Sequence, residues 1–112
     1  MSEIGLIQIA NEIRAKIKLL EKGRAELQGK AQGKANAIAE YDKVLAIAII
    51  KYRDAGKYPA TLIEKIAKGD CYKERAKAEL TEAEYKLTVT KMNGIQAELN
   101  GYQTIYKHLD VI

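Results

Sequence analysis

From Leu6 onward, steps of four and three residues pick out Leu6, Ala10, Ile13, Ile17, Leu20, Arg24, Leu27, Ala31, Lys34, Ile38, Tyr41, Leu45, Ala48 and Tyr52. Twelve of these fourteen are apolar, counting Tyr, which is a heptad seam and not the alternation of a strand. The pattern predicts one long helix to about Asp54, about 70 Å long at 1.5 Å per residue. Beyond it, Gly56 suits a left-handed cap and Pro59 forbids continuation. Thr61 with Glu64 reads as a capping box opening a short helix, Leu62–Lys68, which Gly69 would stop. Asp70 stands where it could cap the next helix.

The second long helix, about Cys71 to His108, has its own seam: Ala78, Thr81, Tyr85, Thr88, Met92, Ile95, Leu99, Tyr102, Tyr106 and Leu109. Leu80, Ala83 and Leu87 lie beside it and widen the apolar stripe toward more than one neighbour. Acid-before-base pairs Glu12/Lys16, Glu26/Lys30, Glu64/Lys68 and Glu82/Lys86 fit i,i+4 support of the helices. The expected fold is all-α: a long antiparallel helical hairpin with a short helix at the elbow, assembling as a homo-oligomeric helical bundle. It forms a single helical domain over 1–112, with arm one at about 4–54, the elbow at about 55–70 and arm two at about 71–108.

The stretch LQGKAQGKANAIAEY places Gly29 and Gly33 inside the first arm. A Walker loop fits this stretch poorly, because the spacing is wrong, no hydroxyl follows Lys34 and no strand precedes it. Ala25, Gly29, Gly33 and Ala37 recur every four residues. With residue i opposite about 125 minus i, they face the second small set Thr90, Gly94, Ala97 and Gly101. The preferred reading is a thin helix side made for close packing; a break in the helix is the competing one. The same register leaves residues before about 17 without an opposite arm, which makes Ile4, Leu6, Ile7, Ile9 and Ile13 the candidate oligomer interface.

Composition narrows the function classes. The 112 residues carry one Pro, seven Tyr, no Phe and no Trp, so every large ring has a hydroxyl. The longest apolar run, Val44–Ile50, is far short of the roughly 20 residues a membrane span needs. An acidic residue in the opening MSEIGLIQ argues against a signal peptide, and a lone Cys71 forms no internal disulfide, so a cytoplasmic setting and no membrane partner are expected. Net charge is +4, and residues 30–75 hold ten Lys/Arg against six Asp/Glu, so the positive excess lies in the middle of the chain.

That middle holds the candidate ligand-binding residues: Tyr52, Arg53, Lys57, Tyr58, Lys65, Lys68, Lys73 and Arg75, with Tyr72 among them. Tyrosine faces beside lysine and arginine are what base stacking and phosphate neutralisation would use. The plainer reading is a solvated turn whose cations complement helix C-termini. Cys71, near Lys68 and Lys73 at a helix start, could have a lowered pKa, but no second Cys or nearby His supports it. His108 is the sole histidine, and no spacing suggests a metal site. No catalytic residues and no cofactor are expected.

The runs AEYDKVLAIAIIKYRDAGKYPATLIEKIAKGD and YKERAKAELTEAEYKLTVTKMNGIQAEL resemble small helical proteins encoded by phages and prophages of Gram-positive bacteria. The shared features are a Glu-Tyr pair (Glu40, Tyr41), an R-x-x-G-x-P turn, a T-L-I segment and a Gly-Asp pair. They match Arg53, Gly56, Pro59, Thr61, Leu62, Ile63, Gly69 and Asp70, across most of residues 39–99. This chain has one residue more between Gly56 and Pro59 than the pattern. The resemblance implies a setting in a bacterial host cell and no mechanism. The expectation is a non-enzymatic binding module that occupies a host protein or sequesters an anionic ligand, with counter-defence as a role that fits this setting. The alternative is an accessory protein that binds nucleic acid, or a nucleotide, through the basic elbow.

Overall fold

The structure, a computed structural model, describes residues 3–110, with side chains for 5–109. Three helices follow one another: α1 (Glu3–Ala55), α2 (Ala60–Asp70) and α3 (Tyr72–Asp110). Among the described residues there is no strand. Helix α1 runs unbroken through Gly29 and Gly33, so the expected alternative of a break there is overturned.

The chain reverses between α1 and α2. Gly56 takes φ 65°, a left-handed conformation that a residue with a β-carbon adopts at a cost, and it closes α1. Pro59, at φ −58° and ψ 144°, is the N-cap of α2, and its carbonyl accepts from the Leu62 amide at 2.9 Å. The helix therefore starts at Ala60. Thr61 lies inside the first turn, and the expected Thr61–Glu64 capping box does not form: no side chain caps this end.

Nor does Gly69 stop α2, which continues to Asp70. The Cys71 amide donates to Ala67 at 3.1 Å and the Arg75 amide to Cys71 at 3.0 Å, so i→i−4 bonds carry the backbone from α2 into α3 with a bend only at Cys71. Asp70 caps nothing; its carboxylate accepts from the Tyr52 hydroxyl of α1.

Two compact units result, one joining α1 up to Gly29 with α3 from Lys86, the other spanning Lys30–Tyr85. In the first, α1 and α3 are antiparallel: Lys16 meets Glu98 at 2.6 Å and Glu26 meets Lys91 at 3.7 Å. Leu20, Leu99 and Thr88 are buried there, and no buried side-chain polar atom among the described residues lacks a partner. In the second, Lys30 meets Glu84 at 3.3 Å and the Lys34 ammonium stands 4.8 Å from the centre of the Tyr85 ring. Ala37, Ile63, Ala67, Cys71 and Ala78 are its buried apolar residues.

These pairs correct the expected register. A pairing sum of 125 would set Lys16 opposite about residue 109, whereas it pairs with Glu98. The reason is that α2 lies along α1, as Tyr52–Asp70 shows, so the reversal centres on Gly56–Pro59 and not further along the chain. Two expectations fall with it. Residues 10–14 do not overhang: Ala10, Ile13 and Arg14 share a groove with Gln103, Tyr106 and Lys107. Leu6, Ile9 and Ile13 are half-buried, Ile7 is exposed, and the Ile4 side chain lies outside the described residues. The small stripes also do not face one another. Thr90, Gly94, Ala97 and Gly101 are all exposed, and a β-carbon at Gly29, Gly33, Gly94 or Gly101 would meet nothing within 4 Å.

Two of the expected i,i+4 lysines likewise turn to the other helix, Lys16 to Glu98 and Lys30 to Glu84, while Lys68–Glu64 forms within α2 at 3.0 Å. The cores are thin. None of the described large side chains is completely buried, and Ile47, Ile50, Leu80 and Leu87 are each more than half exposed.

Candidate functional site

A concavity of the second unit lies where α2 runs into α3. A groove of about 650 Å³ runs over the outer face of α2 and the first turns of α3. Its lining residues Thr61, Lys65, Lys68, Tyr72, Arg75 and Glu79 recur at helical spacing on one side, because the i→i−4 ladder through Cys71 keeps α2 and α3 in phase.

Of the sequence-predicted ligand residues, Lys65, Lys68 and Arg75 come together here, joined by Tyr72. Tyr52, Arg53, Lys57, Tyr58 and Lys73 do not line the groove. Tyr52 and Tyr58 meet edge to face, ring centres 5.8 Å apart, and the Lys73 ammonium lies 5.9 Å from the centre of the Tyr72 ring. The Tyr52 hydroxyl, donating to Asp70, is held above its usual pKa by that hydrogen bond, so it stays a neutral donor.

Carboxylates temper the groove's charge. Lys68 pairs with Glu64 at 3.0 Å and Arg75 with Glu79 at 3.2 Å, each pair on one helix. Three cations thus face two carboxylates, and Lys65 has no ion-pair partner among the described residues. Such a surface can accept an anion at Lys65 and offer the Tyr72 ring, 63% exposed, as a stacking face. Glu79 was not anticipated from sequence. Its signal was the continuation of the Lys65, Lys68, Tyr72 spacing into α3, which is visible only once α2 and α3 share a helical phase.

Cys71 sits beneath the bend, 5% exposed. Burial, then Glu74 and Asp70, push its thiol pKa up, which reverses the expectation that a helix start would lower it. The first turn of α3 carries Glu74, and Cys71 is surrounded by packing instead of water. Among the described residues no three of His, Cys, Asp and Glu cluster as metal ligands, and no helix is long and apolar enough to cross a membrane.

Comparison with family models, curated proteins and solved structures gives no match.

Proposed function

We propose that this chain is a non-enzymatic, homo-oligomeric binding module, a helical bundle whose packing is completed by other protein chains. The carrying observation is the exposure of Ile47, Ile50, Leu80 and Leu87, at 55–70%, on a fold in which no described large side chain is completely buried. Isolated exposed leucines are ordinary, but apolar side chains repeated along helices that bury so little mark an association surface. The phage-type resemblance gives the setting: the cytoplasm of a bacterial host, where the module occupies a host protein, in counter-defence.

The test is thermal unfolding at several protein concentrations. Association with other copies stabilises the folded chain by mass action, so the midpoint rises with concentration. A midpoint that stays fixed over a hundredfold range contradicts the oligomer.

A second reading, sequestration of an anionic ligand, is favoured by one feature: Lys65 beside an exposed Tyr72 in the groove. Nucleotides and short single-stranded DNA are the probes. A ligand at about 100 times its dissociation constant adds about 2.7 kcal/mol of stability. Nucleic-acid affinity through these cations falls steeply with salt; no shift with any anion removes this reading.

A further inference from the structure

Helix α3 carries a second heptad seam. Positions 76, 80, 83, 87, 90, 94, 97 and 101 step alternately by four and three, every one is exposed, and none is charged. Leu80 and Leu87 are 59% and 70% exposed. The Thr90 hydroxyl donates to the Lys86 carbonyl at 3.1 Å, so it brings no unsatisfied group to an apolar contact. A 4–3 seam of this kind is half of a coiled coil.

The flanking charges select the other half. Following the seam at seven-residue intervals stand Lys77, Glu84, Lys91 and Glu98, alternating in sign. Reversed, that series is its own complement. An antiparallel copy brings Lys77 beside Glu98 and Glu84 beside Lys91, each twice by symmetry. The same alignment sets Leu80 over Ala97, Leu87 over Thr90 and Ala83 over Gly94, so each leucine lies over a smaller residue and no layer is overfilled. Parallel pairing instead places Glu79 beside Glu84 and Lys86 beside Lys91, which is repulsive.

We propose that the exposed α3 seam pairs antiparallel with the α3 seam of a second copy of this chain. This rests on the association proposed above and names its surface and orientation. Glu84, Lys91 and Glu98 already hold Lys30, Glu26 and Lys16 within the chain, yet their side chains are 42%, 62% and 56% exposed. A carboxylate can accept from two lysines at once, which makes ion-pair networks out of single pairs.

Sedimentation equilibrium of the full chain tests it with a charge swap. Glu84→Lys alone, or Lys91→Glu alone, turns two attractions into two repulsions and weakens the dimer by about tenfold. The double variant restores affinity to within about threefold. Within one chain the double variant still faces Lys30 and Glu26 with like charges, so its rescue comes only from contacts between copies. Leu87→Glu, at a site 70% exposed, leaves the helical circular dichroism intact and abolishes the dimer. An oligomer indifferent to all four variants overturns this inference and leaves the association standing; a monomer at about 100 μM overturns both.

Discussion

Gly23 of α1 lies against Met92 of α3 so closely that a β-carbon on Gly23 would sit 3.2 Å from Met92 Cγ. At Gly29 and Gly33 the same atom would meet nothing within 4 Å. The three glycines share one helix and differ in what faces them. Gly29→Ala and Gly33→Ala each stabilise the chain by about 0.5–1 kcal/mol, since a helical glycine is that much worse than alanine. Gly23→Ala gains less, because Met92 must yield by a few tenths of an ångström. Urea unfolding of the three variants checks the order.

Ala67 is wholly buried where α2 meets its neighbours in the second unit. Ala67→Leu overfills that contact and destabilises by about 1–3 kcal/mol. Ala46→Leu on the exposed side of α1 changes stability by less than about 0.5 kcal/mol. Thermal melts of the two variants, matched in chemistry and different in place, show whether α2 packs through this residue.

The Lys16–Glu98 pair at 2.6 Å fixes the register of the first unit. Hydrogen bonding to Glu98 holds the Lys16 ammonium above its usual pKa, with burial working against it. A double-mutant cycle of Lys16→Ala with Glu98→Ala gives a favourable coupling that shrinks with added salt. The corresponding Lys16/Glu12 cycle gives a smaller one, the reverse of what i,i+4 spacing alone implies.

The raised Cys71 pKa has a definite sign. The folded state disfavours the thiolate, so below the ordinary value of 9.0 its contribution to stability is fully present, and it is lost as pH rises through the folded value. Tyr52 adds a loss of the same direction above 10.0. Unfolding free energy therefore declines on the alkaline side, and Cys71→Ala makes that decline shallower. Folded chain at pH 8 reacts with iodoacetamide far more slowly than urea-unfolded chain; equal rates contradict the burial.

Much of the architecture was legible in the residues. The seam from Leu6 to Tyr52, the Gly56 and Pro59 stop, and the inward seam from Ala78 to Leu99 are local patterns, and local patterns are what a helix obeys. The register was not legible. It depends on whether α2 crosses the end of the hairpin or lies along α1, which the Tyr52–Asp70 contact and the Ala67-to-Arg75 backbone bonds decide, and neither leaves a mark on periodicity. The error in register carried over to the small stripes and to the supposed overhang at Ile13. The candidate groove was half legible: Lys65, Lys68 and Arg75 are there, but their neighbours Glu64 and Glu79 moderate the charge.

The helices leave apolar side chains exposed, a surface that we propose copies of this chain cover. Sedimentation equilibrium from about 1 to 100 μM tests it most directly. Self-association raises the weight-average mass above the 12.5 kDa of one chain toward a dimer or higher oligomer. A mass of 12.5 kDa at every concentration, with full helical content, contradicts it.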